Sequence, residues 1–379
     1  MMNLISVFSL VMAQEADART WEDVLGTTVT EDWQGEDHRQ YDFWTGLGEG
    51  NWRPREEDAL GHVADGRRMR HYVFPVLDGK AIVEIAEPRD ITAGEAQGRG
   101  FSIRYYNEDA GRWVMAQHWP NPNFDGVAFL DQLTGDTHHG RISLYSADLQ
   151  ARTESGDPQI RRYQFSDIRE DGFRWDGANT ADGGDSWRTW MVVDFQRLGD
   201  MPALPSATEN WPGYSEGLLC QSAPHGALDD LAGRWSGEAI RASGGSEPAT
   251  FTAGLMLDGC AVAGVIERPE SGYRGLLAWS YSPILERWIA FYLNNAPVTP
   301  HLYFASETAG EAAEFHTISD AVIADWTTPF ITHARAGAES ARARTVWEVF
   351  NETELVWRVE SRSSDGSWAP YLTYRFTRD

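Results

Sequence analysis

Two stretches of the chain, DSWRTWMVVDFQR at residues 185–197 and GSWAPYLTYRFTR at residues 366–378, share one pattern. In each, aromatic or aliphatic residues alternate with polar residues, and each ends in Phe, one intervening residue and Arg. Alternation with a period of two predicts a β-strand with one covered face and one face in water. The two stretches therefore predict the same antiparallel strand, present twice in one chain.

Two further pairs of segments match in the same order along the chain. LDGKAIVEIAEP at 77–88 is similar to LDGCAVAGVIERP at 257–269, and IRYYNEDAGRWVMAQHW at 103–119 is similar to LAWSYSPILERWIAFYL at 277–293. An ordered series of matches indicates that a whole unit has been duplicated in tandem. We therefore predict two copies of one β-rich domain.

The duplication predicts how the 379 residues divide. We place the first domain at residues 38–198 and the second at 226–379, joined by a linker at 199–225 that is rich in Pro, Gly and Ser. Residues 14–37 are predicted to be a lead-in that is poorly packed or helical. Residues 1–13 hold a short apolar run ending in Val-Met-Ala, which is typical of a signal peptide, although the usual positive residues are missing.

The composition favours many short strands joined by tight turns, with 17 Trp, 13 Tyr, 16 Phe and 36 Gly. Each copy fits a β-sandwich or a closed up-and-down barrel, and closure of the barrel removes exposed strand edges. Gly233-Arg234-Trp235 favours the barrel, because the Gly lets the entering chain pass beneath it and Trp235 then plugs its end. Arg375 and Arg378 are candidates to cover Trp235. The predicted fold class is all-β, with two tandem antiparallel up-and-down β-barrels.

Three segments of the first copy resemble a bacterial family of uncharacterised lipocalin-like proteins, the domain-of-unknown-function 1579 type. They are YDFWTGLGEGNW at 41–52, GFSIRYYNEDAGRW at 100–113 and ADGGDSWRTWMVVDFQR at 181–197. Members typically open with F-D-F-W-x-G-x-W and carry a D-G-G-x-x-W hairpin that ends in F-x-R. This sequence departs from the pattern at Gly48, where the second Trp of the opening would lie, and the second copy has Trp235 there.

The resemblance covers residues 41–197 and, more loosely, residues 228–378. It implies that both barrels are calycin-like or lipocalin-like. It implies no catalytic residues, because the family has none established that could be transferred to this chain.

The charge of the chain excludes some classes of partner. The formal net charge is −25, from 57 acidic and 32 basic residues, so the surface repels nucleic acid and anionic lipid. No HExxH pair, phosphate-binding Gly-rich loop or G-x-S-x-G nucleophile motif occurs. We therefore predict no metal, no cofactor and no nucleic-acid partner, and nothing in the sequence predicts an oligomeric state.

The N-terminal segment and the cysteines bear on location. The apolar run at residues 1–13 is too short to span a membrane, and its pattern is typical of a signal peptide. We therefore expect export to the periplasm or secretion from a bacterium. A cytoplasmic protein with an apolar tail is the alternative. Cys220 and Cys260 either form one disulfide in an oxidising compartment or remain independent thiols.

An aromatic lining with a few polar anchors is typical of a binding cavity. We predict an exported protein that holds a small hydrophobic or amphipathic ligand inside a barrel. The second copy has more apolar strand positions, which favours a filled interior there. The predicted ligand-binding residues are Arg104, Tyr106, His118, Trp119, Trp175 and Trp190 in the first copy and Tyr281 and Arg358 in the second.

Two other functions fit the same scaffold. An isomerase, hydratase or lyase acting on a lipid-like substrate would need an acid–base group in the cavity, and His118 is the catalytic candidate. A structural module with solid barrels would need no cavity at all. A binding protein is favoured over an enzyme because no nucleophile or metal motif is present.

Overall fold

The computed structural model describes residues 19–29, 36–54, 66–89, 99–107, 111–119, 131–152, 158–204, 220, 225–282, 287–296, 302–306, 313–317 and 343–379. Strands dominate this part of the chain, so the prediction of an all-β fold is confirmed. One α-helix occurs in it, α1 (Trp21–Leu25), together with 3-10 turns at Glu36–Arg39, Asp42–Trp44, His225–Leu231 and Leu257–Gly259. None of the described helices is long and apolar enough to cross a membrane. The predicted signal peptide at 1–13 and most of the predicted linker lie outside the described residues.

The first barrel contains ten antiparallel strands, and each pairs with its neighbours in the sequence. The barrel closes where β1 pairs with β10, with Gly50 opposite Phe195. The strands are β1 (Gly46–Pro54), β2 (Arg67–Val76), β3 (Ala81–Pro88), β4 (Gly100–Asn107), β5 (Arg112–His118), β6 (Asp131–His138), β7 (Arg141–Arg152), β8 (Pro158–Arg169), β9 (Gly172–Thr180) and β10 (Arg188–Gly199).

The second barrel repeats this topology with ten strands and closes between β11 and β20, where Gly237 lies opposite Phe376. Up-and-down order in both copies confirms the predicted pair of barrels. The strands are β11 (Gly233–Arg241), β12 (Ser246–Met256), β13 (Ala261–Arg268), β14 (Tyr273–Ser282), β15 (Arg287–Asn294), β16 (Leu302–Ser306), β17 (Ala313–Thr317), β18 (Ala343–Phe350), β19 (Glu354–Arg362) and β20 (Trp368–Arg378).

One end of each barrel is plugged by an aromatic residue. Trp235 is fully buried in the second barrel, and the Arg378 guanidinium lies 4.4 Å from its ring centroid, as predicted for Arg378. Gly233 has a φ of +135°, which favours glycine where the chain turns into β11. In the first barrel a Cβ on Gly48 would lie 1.9 Å from the Phe195 ring, so Phe195 fills the space that Trp235 fills in the other copy.

The two barrels pack together through the outer faces of β2–β5 and β12–β15, which form one continuous apolar cluster. At aligned positions in this cluster, a large side chain in one barrel corresponds to a small side chain in the other. Ile103 aligns with Ala278, whereas Ala116 aligns with Phe291, so the larger residue comes from a different barrel in each case. Helix α1 is buried in the same cluster, so the described part of the predicted lead-in contains a short, well-packed helix.

Two ion pairs cross the interface in a reciprocal arrangement. Arg99 of the first barrel bonds Asp258 of the second, and the aligned Arg274 bonds the aligned Asp78. Each arginine also contacts a glutamate of its own barrel, Glu87 at 3.6 Å and Glu267 at 3.2 Å. The duplicated units therefore face each other with an approximate two-fold relation, as in an isologous dimer.

The two cysteines form a disulfide, Cys220–Cys260, which resolves the two alternatives left by the sequence. Cys220 precedes the second barrel, and Cys260 lies immediately before β13; both belong to the interface cluster. The bond therefore fastens the connecting segment to the second barrel next to the interface.

Candidate functional site

A cavity of about 300 Å³ lies inside the second barrel, at the end opposite Trp235. Its floor is formed by Trp279, Trp347 and Trp357, whose ring centroids lie 5.8 to 6.3 Å apart. The remaining apolar lining residues are Ile266, Leu277, Ala290, Val359 and Leu372. The sequence favoured the second copy as the more filled of the two; its interior is not solid, because small residues such as Ala290 leave space between the tryptophans.

Charged and aromatic side chains surround the mouth of this cavity. Glu247 is only 4% exposed and pairs with two arginines, Arg241 and, at 3.2 Å, Arg268. The Arg268 guanidinium lies 3.8 Å from the centroid of the Tyr273 ring. Tyr371 is 49% exposed at the rim, so the cavity reaches the protein surface there. The site is apolar at its floor and polar at its mouth.

Three tyrosines of the lining have altered acidity. Burial raises the pKa of Tyr273, Tyr371 and Tyr374, although the positive charge of Arg268 acts in the opposite direction on all three. Their hydroxyl groups therefore stay protonated at neutral pH and can donate hydrogen bonds.

The interior of the first barrel contains a buried polar network. The Nδ1 of His71 lies 2.8 Å from Oε1 of Glu84, and Ser102 donates to Oε2 of Glu84 at 2.5 Å. Arg104 donates to the Ser102 hydroxyl at 2.8 Å. The Trp52 indole donates to Nε2 of His71 at 3.1 Å. Because the indole N–H can only donate, Nε2 of His71 is the acceptor of that bond, and Nδ1 faces the Glu84 carboxylate.

Glu84 is ionised within this network. Burial alone would raise its pKa, but the hydrogen bonds from His71 and Ser102 and the charge of Arg104 outweigh burial and hold the pKa below its usual value. Arg104 in turn lies 4.2 Å from the centroid of the Trp44 ring. All four polar members of the network are at most 4% exposed.

The second barrel has apolar residues at the aligned positions. The strand registers place Phe251, Gly264, Leu277 and Trp279 where the first barrel has His71, Glu84, Ser102 and Arg104. A Cβ on Gly264 would lie 2.5 Å from the Phe251 ring, so the glycine makes room for that ring. The fold therefore closes without a charged network, and the two interiors differ in chemistry.

Four half-buried tryptophans lie near the network in the first barrel. The Trp52 ring centroid is 5.1 Å from that of Trp119 and 6.4 Å from that of Trp175. Trp175 and Trp190 are 6.0 Å apart. The structure therefore brings together the predicted residues Trp119, Trp175 and Trp190 on the side of the network remote from Trp44, and Arg104 lies deeper in the same interior.

The predicted tyrosines lie at the plugged ends of the barrels. Tyr106 packs against Trp113 with ring centroids 5.8 Å apart, and Tyr281 packs against Trp288 with centroids 6.1 Å apart. His225, which begins the 3-10 turn before β11, contacts the Tyr281 ring, with ring centroids 5.3 Å apart. Tyr281 is absent from the lining of the described cavity.

His118 faces the other barrel and not the interior, which corrects the expected position of the catalytic candidate. Along β5, Trp113 and Met115 belong to the inner cluster, whereas Val114 belongs to the interface. By alternation His118 points outward, where its Nε2 lies 3.2 Å from the Ser280 hydroxyl of the second barrel. A fully buried interface residue of this kind does not reach a ligand held inside the barrel.

Arg358 also lies outside the described cavity, contrary to expectation. Its neighbours Trp357 and Val359 line the cavity, so Arg358 points to the outer face of β19. There it forms ion pairs with Glu348 and Glu360.

Arg104 is the one predicted site residue that belongs to either polar cluster; the other members of both clusters were not predicted from the sequence. A signal was present for Glu84, which is the only charge in the apolar run AIVEIA at 81–86. Arg241, Glu247 and Arg268 gave no such signal, because they lie at strand ends where charged residues are ordinary. Within the described residues, no group of three or more His, Cys, Asp or Glu side chains could hold a metal ion.

No family model and no curated protein matches the chain, so its resemblance to the 1579-type family stays a prediction. Among solved structures, it is similar to a protein of unknown function from the DUF3598 family of Nostoc punctiforme, with 9% identity, a TM-score of 0.20, and coverage of 91% of this chain and 100% of that one. It is also similar to kievitone hydratase from Nectria haematococca, with 7% identity, a TM-score of 0.16 and coverage of 93% and 96%. Transferrin-binding protein B of Haemophilus parasuis has 8% identity, a TM-score of 0.17 and coverage of 88% and 76%. Scores this low carry no argument about function.

Proposed function

We propose that this protein binds a small amphipathic molecule in the cavity of the second barrel. The observation that carries the proposal is a cavity of about 300 Å³ with tryptophans at its floor and with tyrosines and two arginines, both paired with Glu247, at its mouth. Burial of apolar surface against the tryptophans supplies affinity, and the few polar groups orient the ligand. The same cavity counts against a purely structural module with solid barrels.

A titration with N-phenyl-1-naphthylamine tests this proposal. The dye is neutral and apolar, and its fluorescence rises when it leaves water, so we expect saturable binding to one site. Ala290→Phe places a ring in the cavity and should weaken binding about tenfold or more. Ala369→Phe is the matched control, because Ala369 is exposed on β20 of the same barrel.

Both variants are first checked for unchanged circular dichroism and melting temperature, since overpacking also destabilises a fold. Absence of dye binding to the unmodified protein would overturn the proposal. Equal binding by the Ala290→Phe and Ala369→Phe variants would also overturn it, because the dye would then bind elsewhere.

Export from the cytoplasm is part of the proposal. The Cys220–Cys260 disulfide supports it, because such bonds persist mainly in oxidising compartments. We expect intact-mass measurement of the periplasmic or secreted protein to show cleavage near Ala13 and no thiol that reacts with iodoacetamide. An uncleaved cytosolic protein with two reactive thiols would contradict export.

Acid–base catalysis in the first barrel is the second candidate function. The observation that favours it is the pairing of His71 with the Glu84 carboxylate, an orientation found in many general bases; Nε2 of His71 becomes available as the base when the Trp52 indole releases it. The probe is 5-nitrobenzisoxazole, in which a base removes the ring C–H proton while the N–O bond breaks to give a cyanophenolate. We expect acceleration that His71→Ala abolishes and His118→Ala retains. No acceleration over buffer, or equal loss in both variants, would remove this candidate.

A further inference from the structure

The mouth of the second cavity carries an excess of positive charge. Arg241 and Arg268 share a single buried carboxylate, Glu247, so one guanidinium charge is left uncompensated among the described residues that line the mouth. This contrasts with the whole chain, whose formal net charge is −25. A local charge of sign opposite to the whole molecule indicates recognition of a group that the rest of the surface would repel.

Arg268 is held in place to act as a donor. Its stem is mostly buried, and its guanidinium is fixed between Glu247 and the face of Tyr273. Its Nε is buried and makes no hydrogen bond within the described part of the chain. Buried donors are normally satisfied, so this position suits an acceptor atom that arrives with a ligand.

Arg241 approaches Glu247 and Arg268 from the solvent side of the cavity mouth. Its side chain is 45% exposed, while the Glu247 that it bonds is only 4% exposed. The second guanidinium therefore reaches from the rim toward the buried carboxylate and Arg268. Two arginines directed at one region are a common arrangement for binding a carboxylate.

The neutral groups of the mouth add further donors. Tyr273, Tyr371 and Tyr374 line the cavity, and a tyrosine hydroxyl is able to donate to an anion. The floor, in contrast, consists of the rings of Trp279 and Trp347 with aliphatic side chains. A ligand with one acidic end and one apolar end would match both regions.

We propose that the ligand of the second barrel is an anionic amphiphile whose carboxylate is bound by Arg241 and Arg268 while its apolar body lies on the tryptophan floor. This inference rests on the proposed function and specifies the chemical class of its ligand. A cationic amphiphile would be repelled by the excess guanidinium charge, and a neutral one could accept hydrogen bonds but would leave that charge uncompensated.

Displacement of bound N-phenyl-1-naphthylamine by octanoate and by 1-octanol tests the inference. The two competitors have the same chain length and differ in the charge of the head. We expect octanoate to displace half of the dye at about a tenfold lower concentration than 1-octanol. The difference should shrink as salt is added, because the partly exposed Arg241 is screened.

Arg241→Gln removes the excess charge and should abolish the advantage of octanoate over 1-octanol. Arg375→Gln is the matched control, because it removes the same charge from an exposed position on the outer face of β20. It should leave both competitors unchanged.

The outcomes separate this inference from the proposed function. Dye binding with equal displacement by both competitors, or equal effects of Arg241→Gln and Arg375→Gln, would overturn the anionic class and leave the binding cavity standing. Failure of the unmodified protein to bind the dye would overturn the proposed function and this inference with it.

Discussion

Glu84 and Gly264 occupy the same position in two copies of one unit, yet one is a buried carboxylate and the other has no side chain. Burying a charge costs free energy unless partners compensate it, and Glu84 has His71, Ser102 and Arg104 as partners. Because Gly264 and its neighbours build an equally closed barrel without any charge, the network is not required by the fold. A costly feature that the fold does not require favours a role in function.

Glu84→Gln should destabilise the protein in a pH-dependent way. At pH 7 the change leaves Arg104 without its buried counter-charge, which costs about 3 kcal/mol or more of unfolding free energy. The folded-state pKa of Glu84 is lowered, so its contribution is present above the ordinary pKa of about 4.3 and is lost as the pH falls through the lower folded-state value. The gap in melting temperature between the two proteins should therefore be largest at pH 7 and should narrow as the pH is lowered from about 4.3 toward 3.

Glu238→Gln serves as the control for this measurement, because Glu238 is exposed on β11. It should change the melting temperature little at either pH. A gap for Glu84→Gln that stays constant with pH would mean that the carboxylate does not contribute through its charge.

At the scale of strands, the sequence predicts which residues share one face of a strand. It does not predict which of the two faces points into the barrel. The alternation of β4 correctly separates Arg104 from its neighbours Ile103 and Tyr105. On β5, however, both faces are apolar, because one packs inside the barrel and the other packs against the second barrel. The prediction that His118 faces the interior of the barrel is therefore wrong. The apolar outer face of β5 is explained only by its packing against the second barrel.

The same limit applies to the candidate site as a whole. Alternation places Trp175 inside the first barrel, yet it does not indicate how much space remains around a ring. Free volume depends on differences such as Ala290 in one copy against the aligned Met115 in the other. The barrels were therefore predictable from patterns within strands, and the cavity was not.

Helix α1 packs in the interface between the two barrels, and Leu25→Ala should lower the free energy of unfolding by weakening that packing. Leu25 is fully buried in the interface, and its carbonyl accepts from Leu77 of the first barrel at 2.7 Å. Loss of a buried leucine should cost about 2 to 5 kcal/mol, measured by urea denaturation. Val29→Ala, at a position 42% exposed on the same segment, should cost less than about 0.5 kcal/mol. Equal effects of the two changes would show that α1 does not hold the barrels together.

At the scale of the whole molecule, the inter-barrel interface behaves as a dimer interface built into one chain. Its apolar cluster draws on the outer faces of four strands from each barrel, and the reciprocal ion pairs lie beside it. Outer faces that would be polar in a solitary barrel are therefore apolar here. This explains why strands β3 and β13 are buried on both faces along most of their length.

The two reciprocal aspartates allow a matched test of this interface. Asp258 is fully buried and Asp78 is 32% exposed in its side chain, although they occupy aligned positions, each with a φ near +60°. Asparagine tolerates that backbone conformation, so Asp258→Asn and Asp78→Asn remove a charge without new backbone strain. Asp258→Asn leaves the buried Arg99 with only the more distant Glu87 as counter-charge and should cost about 3 kcal/mol. Asp78→Asn should cost about 1 kcal/mol or less, because water replaces part of its pair with Arg274. Calorimetric unfolding of both variants measures the difference, and equal losses would mean that burial does not set the strength of these interface pairs.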